Sequence, residues 1–354
     1  MDVAIIGAGV AGLACAKELN RFGIIPTVYE KRNKMDISYM HSMAVLNIYH
    51  NNRDALDILK RKYDVDIKPL GPIKCIETYS AHKSAAIKGN LGYYFLRGEA
   101  EKSVINQISR GINAKINYNM TVDIEKIKDK FDYVVVATGE ESIPKRLNLW
   151  EEIIATWTRG SIVIGDLPEN TLRVWLGTPD VGSGYACQVP IDTHKACIFL
   201  ILPYSNKEEA EYHWEKFLFS NRIEYHILYN FEQRLNAGLL SKHTMENILF
   251  VGNSGGFLDP LLGSGFFNAV ATGTLAARAL VGKLNYERAI MPYQKQQEYL
   301  STLRSAYDKL QYKDLDKIVA AMGTYPVKNL IYSQHMDEFK LLSLLVRLFD
   351  DSGD

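Results

Sequence analysis

The sequence lacks the features that mark a nucleic-acid binder, a disulfide scaffold or a membrane span. Its 41 Lys and Arg balance 41 Asp and Glu, and no basic block offers a footprint for nucleic acid. It has four cysteines, Cys15, Cys75, Cys187 and Cys197. None forms a C-x-x-C pair or a metal-type spacing, so no metal site is expected and a reducing cytoplasm is the expected setting. No apolar run approaches the roughly 20 residues that a bilayer-spanning helix needs. The first motif begins at residue 2, so no signal peptide is expected. There is no internal repeat or low-complexity stretch. What remains is 354 residues, 47% hydrophobic and 23% charged. A globular chain of that size can bury a large core shared by two connected domains.

The most informative stretch comes first. Residues 2–31, DVAIIGAGVAGLACAKELNRFGIIPTVYEK, read as strand, glycine turn, helix and second strand. Gly7, Gly9 and Gly12 give G-x-G-x-x-G. The first glycine permits the tight turn, the second lets backbone approach a pyrophosphate, and the third lets the helix lie close to the sheet. Val10 and Ala11 open the helix, whose free N–H groups and positive dipole end suit phosphate. Glu30 ends the second strand, where a carboxylate accepts hydrogen bonds from ribose hydroxyls, and Lys31 follows it. Strand before, helix after and acid beyond make this a dinucleotide site. The motif does not by itself separate FAD from NAD.

Residues 32–50 carry few strand or helix signals before about Met43. A loop over the cofactor is expected there, where His41 and Ser42 either touch the cofactor or are ordinary loop polar groups. Residues 51–66 read as a helix and 67–89 as the start of a β-rich region. Tyr93 to Leu96 reads as a strand. Arg97 stands at its junction with a helix, where a guanidinium can meet phosphate or a cofactor edge or simply face solvent. Residues 114–122 and 131–139 are further strands. The second is a continuous apolar run ending in Ala137, Thr138 and Gly139, as a buried parallel strand does. Four strand-like runs between 161 and 204 are separated by turn residues and imply an antiparallel meander. A helix with Ala210, Trp214, Phe217 and Leu218 on one face follows it. A cleft between this block and the nucleotide domain is the expected substrate site.

Residues 248–282, ILFVGNSGGFLDPLLGSGFFNAVATGTLAARALVG, are the second informative stretch. A strand leads through Gly252 and Asn253 to Asp259-Pro260. Gly263, Ser264 and Gly265 then open a helix whose small residues allow close backbone packing. The segment 291–354 reads as largely helical. Its run from Phe339 to Phe349 leaves only a narrow polar stripe, which packs on the core or, on a second reading, meets lipid or a membrane surface.

Taken together, these stretches resemble the geranylgeranyl reductase family of flavoproteins, which shares the p-hydroxybenzoate hydroxylase fold. The resemblance runs from Asp2 to about Gly282. It implies an α/β chain in which a Rossmann-like FAD-binding domain (1–66, 90–150 and 245–290) receives an antiparallel β-sheet substrate domain (67–89 and 151–244). A C-terminal helical region (291–354) completes it. FAD is the implied cofactor. Gly7, Gly9, Val10, Ala11, Gly12, Glu30 and Lys31 would lie on its ADP half, Arg97, Thr138 and Gly139 beside it. Gly252, Asn253, Asp259, Gly263, Ser264 and Gly265 would form the second flavin motif. The implied activity passes hydride from reduced flavin to a carbon–carbon double bond of a hydrophobic or lipid substrate, with electrons from NAD(P)H or a ferredoxin-type protein. There is no second G-x-G-x-x-G to form a resident NAD(P)H domain.

The sequence departs from the family at three points. Asn253 stands where the family has aspartate. Tyr185, Cys187, Val189 and Pro190 stand on the family's Y-x-W-x-F-P motif, so two large aromatics become small and a wider or differently shaped cavity is expected. The loop cysteine of many prokaryotic relatives is absent, with Cys187 as the candidate replacement or a cavity-lining hydrophobe. Tyr185 is the candidate to orient substrate or relay a proton. Two other activities remain open: a flavin monooxygenase acting on a hydrophobic or aromatic substrate, and a non-catalytic prenyl-lipid carrier of the GDP-dissociation-inhibitor type.

Overall fold

Two hydrophobic periods run through the chain and make two sheets. Short runs apolar on both faces form a buried parallel sheet, and long alternating runs form an antiparallel one. The computed structural model describes residues 1–35, 40–50 and 53–324. The chain opens with β1 (Val3–Ile6), α1 (Val10–Arg21) and β2 (Thr27–Tyr29). Next come β3 (His41–Leu46), a 3-10 turn (Asn47–His50), α2 (Ala55–Tyr63) and the hairpin of β4 (Gly71–Tyr79) and β5 (Ser84–Arg97). The first layer resumes with α3 (Val104–Ser109), β6 (Lys115–Asn117), α4 (Ile124–Ile127), β7 (Tyr133–Val136) and α5 (Ser142–Arg146). The strands β8 (Trp150–Ile164), β9 (Thr171–Leu176), β10 (Tyr185–Pro190) and β11 (Lys195–Pro203) lead to α6 (Lys207–Ser220) and β12 (His226–Leu240). The described chain closes with β13 (Thr244–Met245), β14 (Ile248–Phe250), α7 (Phe266–Leu280), α8 (Tyr286–Tyr307) and α9 (Tyr312–Met322).

The first sheet has the order β13-β14-β7-β1-β2-β6. Its core strands are parallel, so β1 lies between β2 and β7 and its turn faces the carboxyl ends of all three. That is where an open parallel sheet takes a ligand. The second sheet has the order β12-β8-β11-β10-β9-β4-β5-β3. Three sequence expectations are corrected here. The block from β8 to β11 is not a simple meander, because β8 pairs with β11 and β9 pairs in parallel with β4. Residues 41–46, whose first positions fall in the expected loop, form β3 against β5. Residues 41–46 and 90–97, assigned from sequence to the first domain, therefore belong to the second sheet. All three errors concern pairing partners, which alternation does not encode.

The second sheet curls on itself. Ser42 Oγ of β3 donates to the Val189 carbonyl of β10 at 2.8 Å, four strands along the sheet. The Tyr229 hydroxyl of β12 donates to the Met40 carbonyl, and the His41 and Phe231 rings lie 6.1 Å apart. The outer face is covered by α6, with Ala210, Trp214 and Phe217 buried as its periodicity predicts. Each of the two aromatics stabilises the layer by roughly 2–3 kcal/mol on burial. An Asn206–Glu209 capping box fixes where α6 begins. The inner face, with Leu172, Tyr185, Cys187, Val189 and Ile201, turns toward the first sheet.

A half-buried polar brace joins α8 to the loop after β14. His243 Nε2 donates to the Gly255 carbonyl at 2.9 Å. Glu287 of α8 accepts from the His243 N–H at 2.9 Å and from Thr244 Oγ1 at 2.8 Å. Burial pushes the Glu287 carboxyl up, but His243 and Thr244 outweigh it and bring it from 4.5 down to about 2. A carboxylate depressed on folding contributes stability above its unfolded value, and that stability is lost as pH falls through the folded value. Urea unfolding should therefore show stability declining from about pH 4.5 toward about pH 2. Glu287→Gln should flatten part of that acid limb while changing little at pH 7 beyond a constant offset. An unchanged acid limb in the variant would remove Glu287 from the account.

The 325–354 segment, including the apolar run from Phe339 to Phe349, lies outside the described residues. Among the described residues, no helix is long and apolar enough to cross a membrane.

Candidate active site

Two helix N-termini meet at one end of a cavity of about 1000 Å³. α1 begins at Gly9 and α7 at Gly265, and neither has a side-chain cap. Their first N–H groups are therefore left for a ligand, at the positive ends of both dipoles. Small residues let the helices lie this close. A Cβ on Gly273 would sit 2.2 Å from the Ala11 carbonyl oxygen, and one on Gly252 would sit 2.9 Å from Ala11 Cβ.

The three fingerprint glycines do two different jobs. Gly7 has φ +109°, and a Cβ there would lie 2.3 Å from the Ala137 carbonyl oxygen. A Cβ on Gly12 would lie 2.0 Å from the Gly7 carbonyl oxygen. Both are required by the protein's own packing. Gly9 is not: its φ of −83° suits any residue, and a Cβ there would meet nothing within 4 Å. It faces the cavity beside Val10 and Ala11. A glycine that the fold does not need keeps open a space that a pyrophosphate fills, so the cradle fits a dinucleotide.

Glu30 is buried at the end of β2. Its Oε2 accepts from the Ala8 N–H at 2.8 Å and its Oε1 from the Arg32 N–H at 2.9 Å. A carboxylate has more lone pairs than two donors fill. Glu30 thus braces the glycine turn while still lining the cavity for a ribose hydroxyl. Lys31 Nζ is 2.8 Å from Glu140 Oε2 at the rim, an exposed pair of little energetic weight. Thr138 Oγ1 donates to the Glu140 carbonyl at 3.1 Å, and Gly139 beside it has φ +74°. Arg97 stands opposite His41 across the β5–β3 ladder, and both line the cavity.

Asn253, Gly263, Ser264 and Gly265 line the cavity at the start of α7. Gly265 lets Asn253 lie close against it, since a Cβ there would come 2.6 Å from Asn253 Oδ1 and displace that side chain. Gly12, Gly252 and Asp259 sit behind the wall and not on it. Gly12 and Gly252 allow close packing, and Asp259 organises the loop. Asp259 was expected on the cofactor, but its carboxylate is turned inward because the loop's own N–H groups and Tyr49 occupy it.

Beyond the α7 N-terminus the same cavity continues as an apolar chamber. Its floor is the inner face of the second sheet, with Ile76, Leu172, Val174 and Leu176. Leu303, Ala306 and Leu310 of the α8 region and Leu315, Ile318 and Met322 of α9 close the far side. Tyr185 lines it, and its hydroxyl donates to the Leu262 carbonyl at 2.5 Å. Burial pushes the Tyr185 phenol well above its ordinary range. A proton already bonded to the loop and held that strongly is poorly placed for relay. Tyr185→Phe should leave the pH profile of turnover unchanged. It should lower stability by about 1–2 kcal/mol, because the Leu262 carbonyl loses its donor. Urea unfolding and a pH–rate series check both, and a lost ionisation in the rate profile would restore the relay.

Cys187 also lines the chamber, and burial pushes its thiol up, so it is a neutral hydrophobe near pH 7. The chamber is not simply widened by the small residue at 187. Phe199 stands directly opposite Cys187 across the β10–β11 ladder and lines the same space. Sequence reasoning missed Phe199, Tyr49 and the α9 wall. The alternation in KACIFLILP and the period of YKDLDKIVAAM carry them.

A family model described as pyridine nucleotide-disulphide oxidoreductase matches residues 1–159. Among solved structures, the chain is similar to a geranylgeranyl bacteriochlorophyll reductase-like protein from Thermoplasma acidophilum. The two share 15% identity at a TM-score of 0.72, over 99% of this chain and 98% of that one. A flavin-dependent brominase matches at 16% identity and TM-score 0.69, over 99% of both chains. A 2-methyl-3-hydroxypyridine-5-carboxylic acid oxygenase variant matches at 14% and 0.57, over 96% of this chain and 97% of that one. These likenesses show the fold: an α/β, Rossmann-like nucleotide domain joined to a second sheet.

Proposed function

We propose that the chain is an FAD-dependent oxidoreductase that reduces a carbon–carbon double bond in a hydrophobic, isoprenoid-type substrate. FAD is the cofactor, and the vacant Cβ space at Gly9 with the two uncapped helix starts suits its extended form. The observation that carries the substrate class is continuity: one cavity runs from the dinucleotide cradle into a chamber walled by aliphatic residues. Tail-like hydrocarbon fits such walls, which offer apolar area and few directional polar groups.

When bound, FAD supplies the hydride-transfer chemistry. The chain's residues supply the setting. The α7 N-terminus favours negative charge at the cofactor, and its dipole acts strongly where water is excluded. The inner face of the second sheet and the apolar residues of α9 line the chamber with hydrocarbon. Tyr185 fixes the loop through its bond to the Leu262 carbonyl. We further propose that electrons arrive by transient NAD(P)H docking or from a ferredoxin-type protein, since the sequence has no second dinucleotide fingerprint.

The oxygenase reading uses the same fold. Turnover of a geranylgeranyl lipid with a reductant under isotopically labelled oxygen separates them. A product that gains hydrogen and carries no label supports reduction. Label in the product makes the chain a monooxygenase.

A further inference from the structure

The loop that carries α7 to the cavity turns around one carboxylate. Asp259 is 3% exposed. Its Oδ1 accepts from the Leu261 N–H at 2.7 Å and from the Leu262 N–H at 3.1 Å. Its Oδ2 accepts from the Tyr49 hydroxyl at 3.0 Å. Tyr49 belongs to the 3-10 turn after β3, far away in sequence, and it lines the same cavity as Gly263 and Gly265.

We propose that Tyr49 is a positioning residue, which holds the α7 entry loop in place through Asp259 and thereby sets how tightly the flavin is held. A buried carboxylate survives as an anion only when donors replace the water it lost. Burial pushes Asp259 up, and the Leu261 and Leu262 N–H groups, the Tyr49 hydroxyl and the Arg304 charge oppose this. The other groups facing it are accounted for. Tyr185 on β10 is bonded to the Leu262 carbonyl, and Arg304 on α8 is bonded to Asp308 and to the Ser183 carbonyl. Among the described residues, Tyr49 supplies the side-chain hydrogen bond that reaches Asp259 from outside its loop. Protonation of Asp259 would weaken both backbone bonds, because a neutral acid is a poorer acceptor than a carboxylate. The loop from 259 to 265 would then lose its anchor, and the α7 N-terminus its fixed place beside the cofactor.

Tyr49→Phe keeps the ring and deletes the hydroxyl. The test is equilibrium FAD affinity of the full-length protein across a pH series, read from the fluorescence of released FAD with no substrate present. In wild type, affinity should fall on the acid side. In Tyr49→Phe that fall should move upward by about one pH unit, while the two proteins agree within a few-fold at alkaline pH. Asp259→Asn should remove the pH step, and adding Tyr49→Phe to it should produce no new one. If Asp259→Asn does not fold, the comparison of Tyr49→Phe with wild type decides alone. Superimposable profiles, or an equal loss of affinity at every pH, would overturn the proposal, since either outcome denies the link through Asp259. The proposal rests on the flavin reading for its probe. A wild-type protein with no FAD affinity would overturn both, whereas failure to reduce a lipid would leave it standing.

Discussion

Gly9→Val should abolish FAD retention and leave the fold intact. The three fingerprint glycines differ in what they touch. At Gly7 and Gly12 a Cβ would collide with backbone at 2.3 and 2.0 Å, so any side chain there distorts the β1–α1 turn itself. At Gly9 a Cβ meets nothing within 4 Å and the backbone is unstrained. A valine at 9 therefore spends its bulk on the ligand space alone. Two branches pushed into the pyrophosphate position cost about 3 kcal/mol or more, on the order of 100-fold in affinity. The apoprotein's thermal midpoint should stay within about 2 °C of wild type, as for a substitution that touches no core. Gly12→Val should do the reverse, lowering the midpoint sharply whether or not FAD is present. Retention of FAD by a folded Gly9→Val protein would mean that the cofactor does not cross the α1 N-terminus.

Cys187→Trp should stop turnover without loss of flavin. Cys187 faces Phe199 across the ladder, and both look into the apolar chamber. An indole there takes up chamber space, directly opposite the Phe199 ring. Losing about 3 kcal/mol of substrate burial lowers kcat/KM roughly 100-fold. The cradle at α1 is untouched, so FAD stoichiometry should remain that of wild type. Cys187→Ser supplies the contrast. Burial keeps the wild-type thiol protonated, so replacing it with a hydroxyl should change turnover only several-fold. Equal loss in both variants would point to thiol chemistry instead of shape.

The first thirty residues were legible because their constraints are local. Strand, turn, helix and acid follow one another within a single βαβ unit, and each glycine is dictated by its neighbours. The α7 entry was legible for the same reason. The second sheet was not. Alternation identified β9, β10 and β11 but could not say that β8 lies beside β11 or that β9 pairs in parallel with β4. His41 and Ser42 looked like loop residues because their partners, Arg97, Leu96 and Val189, are distant in sequence. Asp259 was read as a cofactor contact because a motif fixes position, not direction. Its direction depends on the Leu261 and Leu262 N–H groups and on Tyr49, about 210 residues earlier. The ring that faces Cys187, Phe199, arrives from the neighbouring strand, which the motif at 185–190 does not encode. In each case the missing information was a non-local pairing, which composition and period do not hold.

The central claim is that the cradle and the apolar chamber form one reactive site. The most direct test is anaerobic. The purified flavoprotein is reduced with dithionite, excess reductant is removed, a geranylgeranyl lipid is added, and the return of the oxidised flavin band is followed. Reoxidation with an equivalent gain of hydrogen in the lipid is the expected result. A flavin that stays reduced with lipid and reoxidises at once when air is admitted would contradict the account, because the chamber would then be serving oxygen chemistry and not double-bond reduction.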